Sequence, residues 1–175
     1  MKLRATSQEI DKIETDTVVL SFFHDERPLK GAVGLTDWRL GGFLSRLIMS
    51  KWIDGKFGDP LLMPANHRMQ SQKVFVLGLG PVTAFDMRRY QDVVDHIADA
   101  LFKIRVNHFA LPLPGVLLAG LDPADAAEAF GRAVHSRYAK DPDLMAGLDV
   151  VVVAPGPDLK RINPVLARIE RGGAA

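Results

Sequence analysis

The 175-residue chain contains no cysteine. That excludes disulfides, thiolate metal sites and a cysteine nucleophile, and it fits a reducing compartment. Long apolar runs are missing too. None approaches the length of a membrane span, and the opening "MKLRATSQEIDK" has no apolar signal-peptide core. A cytoplasmic protein with no membrane association is therefore the expectation. Charge of one sign is also lacking, with 22 Lys and Arg against 21 Asp and Glu. Nothing in that balance calls for nucleic acid or an anionic bilayer. The basic residues are spread along the chain without an aromatic-interleaved patch, which argues against dedicated nucleic-acid binding. The HExxH, GxSxG and Walker A patterns are absent.

What is present reads as one domain over residues 1–175, with 171–175 as a frayed tail. "KLRAT" (2–6) and "DTVVLSFF" (16–23) have strand character. Leu40, Phe43, Leu44, Leu47 and Ile48 fall on one helical face, and Gly41-Gly42 should break any helix running in from Ala32. "PLLMPA" (60–65) and "KVFVLGL" (73–79) read as strands joined by a polar loop carrying Asn66, His67 and Arg68. The period then becomes helical over 86–105, with Tyr90, Val93, Val94, Ile97, Leu101 and Ile104 in one stripe. Thr83 and Asp86 have the spacing of a capping box. A strand at 107–115 follows, then a helix opening at Asp122-Pro123 that buries Ala127, Phe130 and Val134. "LDVVVVAPG" (148–156) is continuous enough to be covered on both faces. The last helix, with Leu159, Ile162, Leu166 and Ile169, is expected to kink or restart at Asn163-Pro164. This order predicts a three-layer α/β/α fold, a mixed but mostly parallel sheet flanked by helices.

The stretch "KVFVLGLGPVTAFD" (73–86) has the grammar of a strand feeding a phosphate-binding turn. Gly78 and Gly80 fill the first two positions of a dinucleotide fingerprint, but Thr83 stands at the third. The following strand ends in "LPLPG" without a ribose-binding acid, and Pro81 removes one backbone N–H. Turn glycines supplying unusual backbone angles are the plainer reading. His96 shares a predicted helix with Asp92, Asp95 and Asp99, an arrangement read as a solvated charged face in preference to a metal site. Trp38 is expected in the core, with Arg39 capping it.

Together, "DTVVLSFF", "LKGAVGLTDWRLGGFLSRLI", "GKFGDPLLMPA", "KVFVLGLGP" and the helix at 86–105 resemble the N-terminal domain of the leucyl aminopeptidases, the M17 metallopeptidases. The resemblance covers most of residues 15–155 and implies a macro-domain-like fold. In that family the chemistry belongs to a separate C-terminal domain with two metal ions. Its Asn-Thr-Asp-Ala-Glu-Gly-Arg signature is absent from these residues. The resemblance thus implies no catalytic residue, no metal ligand and no cofactor. It points to a non-catalytic regulatory or protein-interaction module, its partner another copy or a full-length aminopeptidase. Two alternatives go with it: DNA binding as an accessory role, and macro-like binding of ADP-ribose or another nucleotide. The nucleotide alternative assigns Gly78, Gly80, Gly115 and Gly156, with the strand ends at Pro112–Gly115 and Pro155–Pro157.

Overall fold

The computed structural model describes residues 1–172, so 173–175 of the expected tail lie outside the described residues. Six strands form one sheet: β1 (Lys2–Thr6), β2 (Thr15–Phe22), β3 (Pro60–Pro64), β4 (Ser71–Gly78), β5 (His108–Pro112) and β6 (Asp149–Val153). Their order is β1-β6-β5-β2-β4-β3, parallel throughout except for β3, which runs antiparallel to β4. The helices are α1 (Gly31–Arg39), α2 (Phe43–Met49), α3 (Met87–Lys103), α4 (Val116–Ala119), α5 (Pro123–Tyr138), α6 (Pro142–Ala146) and α7 (Gly156–Glu170). The architecture is the α/β sandwich that the sequence predicts. The short α4 and α6, at 4 and 5 residues, are too brief to show a helical period.

Both faces of the central strands are covered, which explains their unbroken apolar runs. Val18, Leu20 and Phe22 of β2 pack in the layer of α1 and α2, while Val19 faces α3, α5 and α7. Likewise Val150 and Val152 of β6 take one side and Val151 the other. Each such fully buried side chain contributes about 1.5–3 kcal/mol.

The two sheet edges are protected by different means. On β1 the outward amides of Leu3 and Ala5 donate to Glu170 Oε2 and Asn163 Oδ1 of α7, at 3.4 and 3.3 Å. On β3 the positions facing away from β4 are Pro60, Leu62 and Pro64, because Asp59 and Ala65 bond to Gly78 and Gln72. Proline has no N–H, so Leu62 alone offers a donor there.

Three local expectations need correction. Asp86, not Thr83, caps α3: its carboxylate accepts from the Arg89 amide at 2.8 Å, and Thr83 sits in a 3-10 turn, Val82–Ala84. Aspartate is itself a strong N-cap, so no capping box is needed. The last helix does not restart: α7 continues through Pro164 as one helix, because burial of Ile162, Leu166 and Ile169 outweighs the lost backbone bond. Trp38 is 69% exposed: the buried side of α1 is Val33, Thr36 and Asp37, which turns Trp38 outward. Arg39 lies 4.8 Å over its ring, as a cap should. The break between α1 and α2 falls at Gly41-Gly42, with φ of +66° and +74°.

Candidate functional site

In an open parallel sheet, ligands collect beyond the carboxyl ends of the strands, where helix N-termini converge. Here those ends carry a cleft in two compartments. The larger, of about 500 Å³, lies beyond β1, β5 and β6. Its walls are mostly apolar, with Ile10, Leu35, Leu113, Val116, Leu121 and Ile162 prominent, and its ionisable side chains are Glu9 and Asp158. The smaller, of about 190 Å³, lies beyond β2 and β5 and includes Lys30, Glu26, Gly31 and Gly115. Pro112, Leu113, Val116 and Leu117 line both, so the two compartments adjoin along the β5–α4 turn.

Helix α1 starts between the compartments. Its N-cap is Lys30, which provides no side-chain cap, and Gly31 adopts φ +55°. The amides of Gly31, Ala32 and Val33 have no acceptor among the described residues. Free donors at a helix start, beside an ammonium, favour negative charge. Glu26 is spent on the loop itself: its two oxygens accept from Lys30 N and Phe23 N, each at 3.2 Å. Gly115, at φ +66°, forms the opposite wall. A β-carbon there would come within 2.8 Å of both the Phe23 and Phe85 rings, so only glycine lets the β5–α4 turn sit against that pair.

The four glycines assigned from sequence lie in different settings. The Gly78 and Gly80 amides donate to Asp59 O and Gly55 O at 3.0 and 2.8 Å, and the Gly80 carbonyl accepts from His24 N at 2.9 Å. The segment 55–59 thus closes over the turn. Gly115 lines the smaller compartment. Gly156 opens α7 in open space, between Pro155 and Asp158 of the larger one. Sequence reading overlooked Lys30 and Gly31. Their signal was a Lys-Gly pair at the head of a helix, placed after a strand end.

Other candidates play structural parts. His96 packs against the Phe57 ring at 6.1 Å. Asp99 is ion-paired with Lys103 and Arg137, and the Lys103 hydrogen bond, aided by Arg137, holds its carboxyl below the usual range. No group of three His, Cys, Asp or Glu is placed to hold a metal among the described residues. Asn66 and His67 form the left-handed tip of the β3–β4 hairpin, at φ +51° and +59°. No helix of the described residues is long and apolar enough to cross a membrane.

Comparison with known proteins places these features. A "probable cytosol aminopeptidase" of Cyanothece sp. is 25% identical over 141 residues, covering 81% of this chain and 28% of that protein. Across the curated relatives compared, the chain spans only 18% to 35% of their length. Tomato leucine aminopeptidase superposes with a TM-score of 0.70 at 15% identity, over 97% of this chain and 35% of that one. A Trypanosoma brucei macrodomain in complex with ADP-ribose gives a TM-score of 0.73 at 13% identity, over 91% and 67% of the two chains. At such identities the likeness is one of fold. Residues 18–145 match the model of the cytosol aminopeptidase family, N-terminal domain. Carrying that domain's pattern over most of its length, the chain belongs to the cytosol aminopeptidase family through its N-terminal domain.

Proposed function

We propose that this domain acts by binding, without catalysis, and that its cleft takes ADP-ribose or another nucleotide. The carrying observation is the polarity of the groove. One end offers Lys30 and three unpaired amides, suited to phosphate; the other offers apolar walls with Glu9 and Asp158, suited to a base bearing an amino group. In this reading Gly115 and Gly156 border the ligand, while Gly78 and Gly80 hold the segment 55–59 in place. The fold shared with an ADP-ribose-bound macrodomain supports the reading through architecture alone. Titration calorimetry with ADP-ribose and with adenosine tests it. Binding of ADP-ribose is expected, weakened about tenfold or more by Lys30→Glu while adenosine is unaffected. Absence of heat with both ligands would reject it.

A second reading, that the domain is a protein-interaction module, rests on a different observation. Both tryptophans of the chain are on the surface, Trp38 at 69% and Trp52 at 80% exposure. Tryptophan is enriched at interfaces and seldom left in water without a reason. The partner is another copy or a full-length aminopeptidase of the family. Light scattering and co-purification with such an enzyme test this; a strict monomer that binds none counts against it.

A further inference from the structure

Trp38, Phe43, Met49 and Trp52 lie in one short stretch around α2 and leave 69%, 40%, 75% and 80% of their surface exposed. We propose that they form a docking surface for an acidic segment of a partner protein. The inference rests on the interaction reading and adds the surface and the chemistry of what it meets.

The patch is built by ordered structure. On α2, Leu44, Leu47 and Ile48 turn to the core, so Phe43, Arg46 and Met49, spaced three apart, share the outward face. The Gly41-Gly42 turn brings the end of α1 beside the start of α2. Gly42 N donates to Asp37 O, and the Asp37 carboxylate accepts from Ser45 N at 3.1 Å and Ser45 Oγ at 2.5 Å. The Trp52 backbone is fixed by its N–H, which donates a hydrogen bond to Leu47 O at 2.9 Å. Together the four side chains leave about 600 Å² in water, at the upper end of the largest apolar patches of monomers, which are often functional. With a polar rim, that approaches the ~800 Å² per partner of a standard interface.

Charge selects the occupant. No Asp or Glu occurs from residue 38 to 53. Asp37 is buried and committed to Ser45, while Arg39 is taken by Asp11 at 2.7 Å. Arg46 and Lys51 have no carboxylate within ion-pair distance among the described residues. A second copy related by a two-fold axis would bring these cations toward their own equivalents. Stacking of nucleobases on Trp38 and Phe43 is opposed by Arg39 and Arg46, which lie over those rings at 4.8 and 5.8 Å. Arg46 donates one N–H to Gly41 O at 2.6 Å, which leaves its other donors, with the Lys51 ammonium, to meet carboxylates. Strand addition is disfavoured at β3, where prolines remove the donors.

The chain's own tryptophans report occupancy, since both belong to the patch. The intact protein is titrated with a short amphipathic helical peptide bearing Leu, Phe and Glu, and with its Glu→Gln counterpart. A blue shift and protection from acrylamide quenching are expected with the acidic peptide, at least about tenfold tighter than with the neutral one. The Arg46→Glu, Lys51→Glu double variant, with unchanged circular dichroism, should lose that preference; Arg46→Gln alone should weaken it. Equal binding of the two peptides, or no binding of either, overturns the acidic assignment. So does a shift produced instead by anionic vesicles, by single-stranded DNA or by concentration-dependent dimerisation. A photo-reactive residue in place of Met49, irradiated in extract of the native cells, tests the underlying reading separately. Absence of any cross-linked protein rejects that reading, whereas a cross-linked partner with a neutral or basic contact segment rejects only the charge selectivity.

Discussion

The carbonyl of Lys56 occupies the space that a side chain on Gly78 would need. The two backbones cross where segment 55–59 closes over the end of β4: the Gly78 amide donates to Asp59 O at 3.0 Å and the Gly78 carbonyl accepts from Gly58 N at 2.9 Å. A glycine pair that resembles a phosphate cradle in sequence is in this molecule a crossing point of two chain segments.

Gly78→Ala should therefore destabilise the fold severely, by about 3 kcal/mol or more, since a backbone carbonyl cannot move aside as a flexible side chain can. Gly156→Ala is the matched control. Its site is open and its φ is not positive, so a change within about 0.5 kcal/mol is expected. Urea melts of the two variants make the comparison; similar losses would contradict the geometry.

Both tyrosines are fully or largely buried. Tyr90 Oη donates to Ala126 O at 3.0 Å and Tyr138 Oη to Val106 O at 2.5 Å. Burial raises both phenols above their ordinary value of 10. A raised folded pKa means that the neutral form is favoured in the fold. The associated stability is complete below pH 10 and is lost as pH climbs past it. Ultraviolet titration should show no phenolate until the protein unfolds in alkali, in step with circular dichroism. Phenolate appearing earlier would show that a ring is accessible.

Asp122 caps α5 through the Ala124 and Asp125 amides and pairs with Arg161. The Arg161 hydrogen bond first, and the backbone bonds with it, lower its pKa below 3.8. A lowered carboxylate contributes stability above its unfolded value and loses it as pH falls through the folded one. Asp122→Asn keeps a capping oxygen but not the charge. Its melting temperature should fall below the parent's at neutral pH, and the gap should narrow below about pH 4.

Removing the side chains that cover β1 should open that edge. Asn163→Ala with Glu170→Ala frees the Leu3 and Ala5 amides, and unpaired strand edges recruit other strands. Concentration-dependent self-association by light scattering is expected. An unchanged monomer-to-oligomer profile would show that those bonds do not guard the edge.

Much of the fold is legible in the chain. The apolar run of "DTVVLSFF", the unbroken "VVVV" of β6, the Asp122-Pro123 helix start and the Gly41-Gly42 break all act within a few residues. Hydrogen bonding, steric limits and side-chain periodicity are local there, so their signals lie adjacent in sequence. The Asp86 cap and the absence of a restart at Pro164 differ from expectation because a second local rule or tertiary packing outweighed the one applied.

By itself, then, the sequence determined the elements, their alternation and the domain pattern, because each depends on neighbours along the chain. The tertiary structure decided the rest. Strand order brings Glu9, Lys30 and Gly115, from three separate connections, and Asp158, from the first turn of α7, to two adjoining compartments. Packing of α1 turns Trp38 outward, and the crossing of segment 55–59 consumes the amides of Gly78 and Gly80. Such outcomes depend on which surfaces the assembled sheet and helices leave uncovered, and local preferences along the chain carry no record of that.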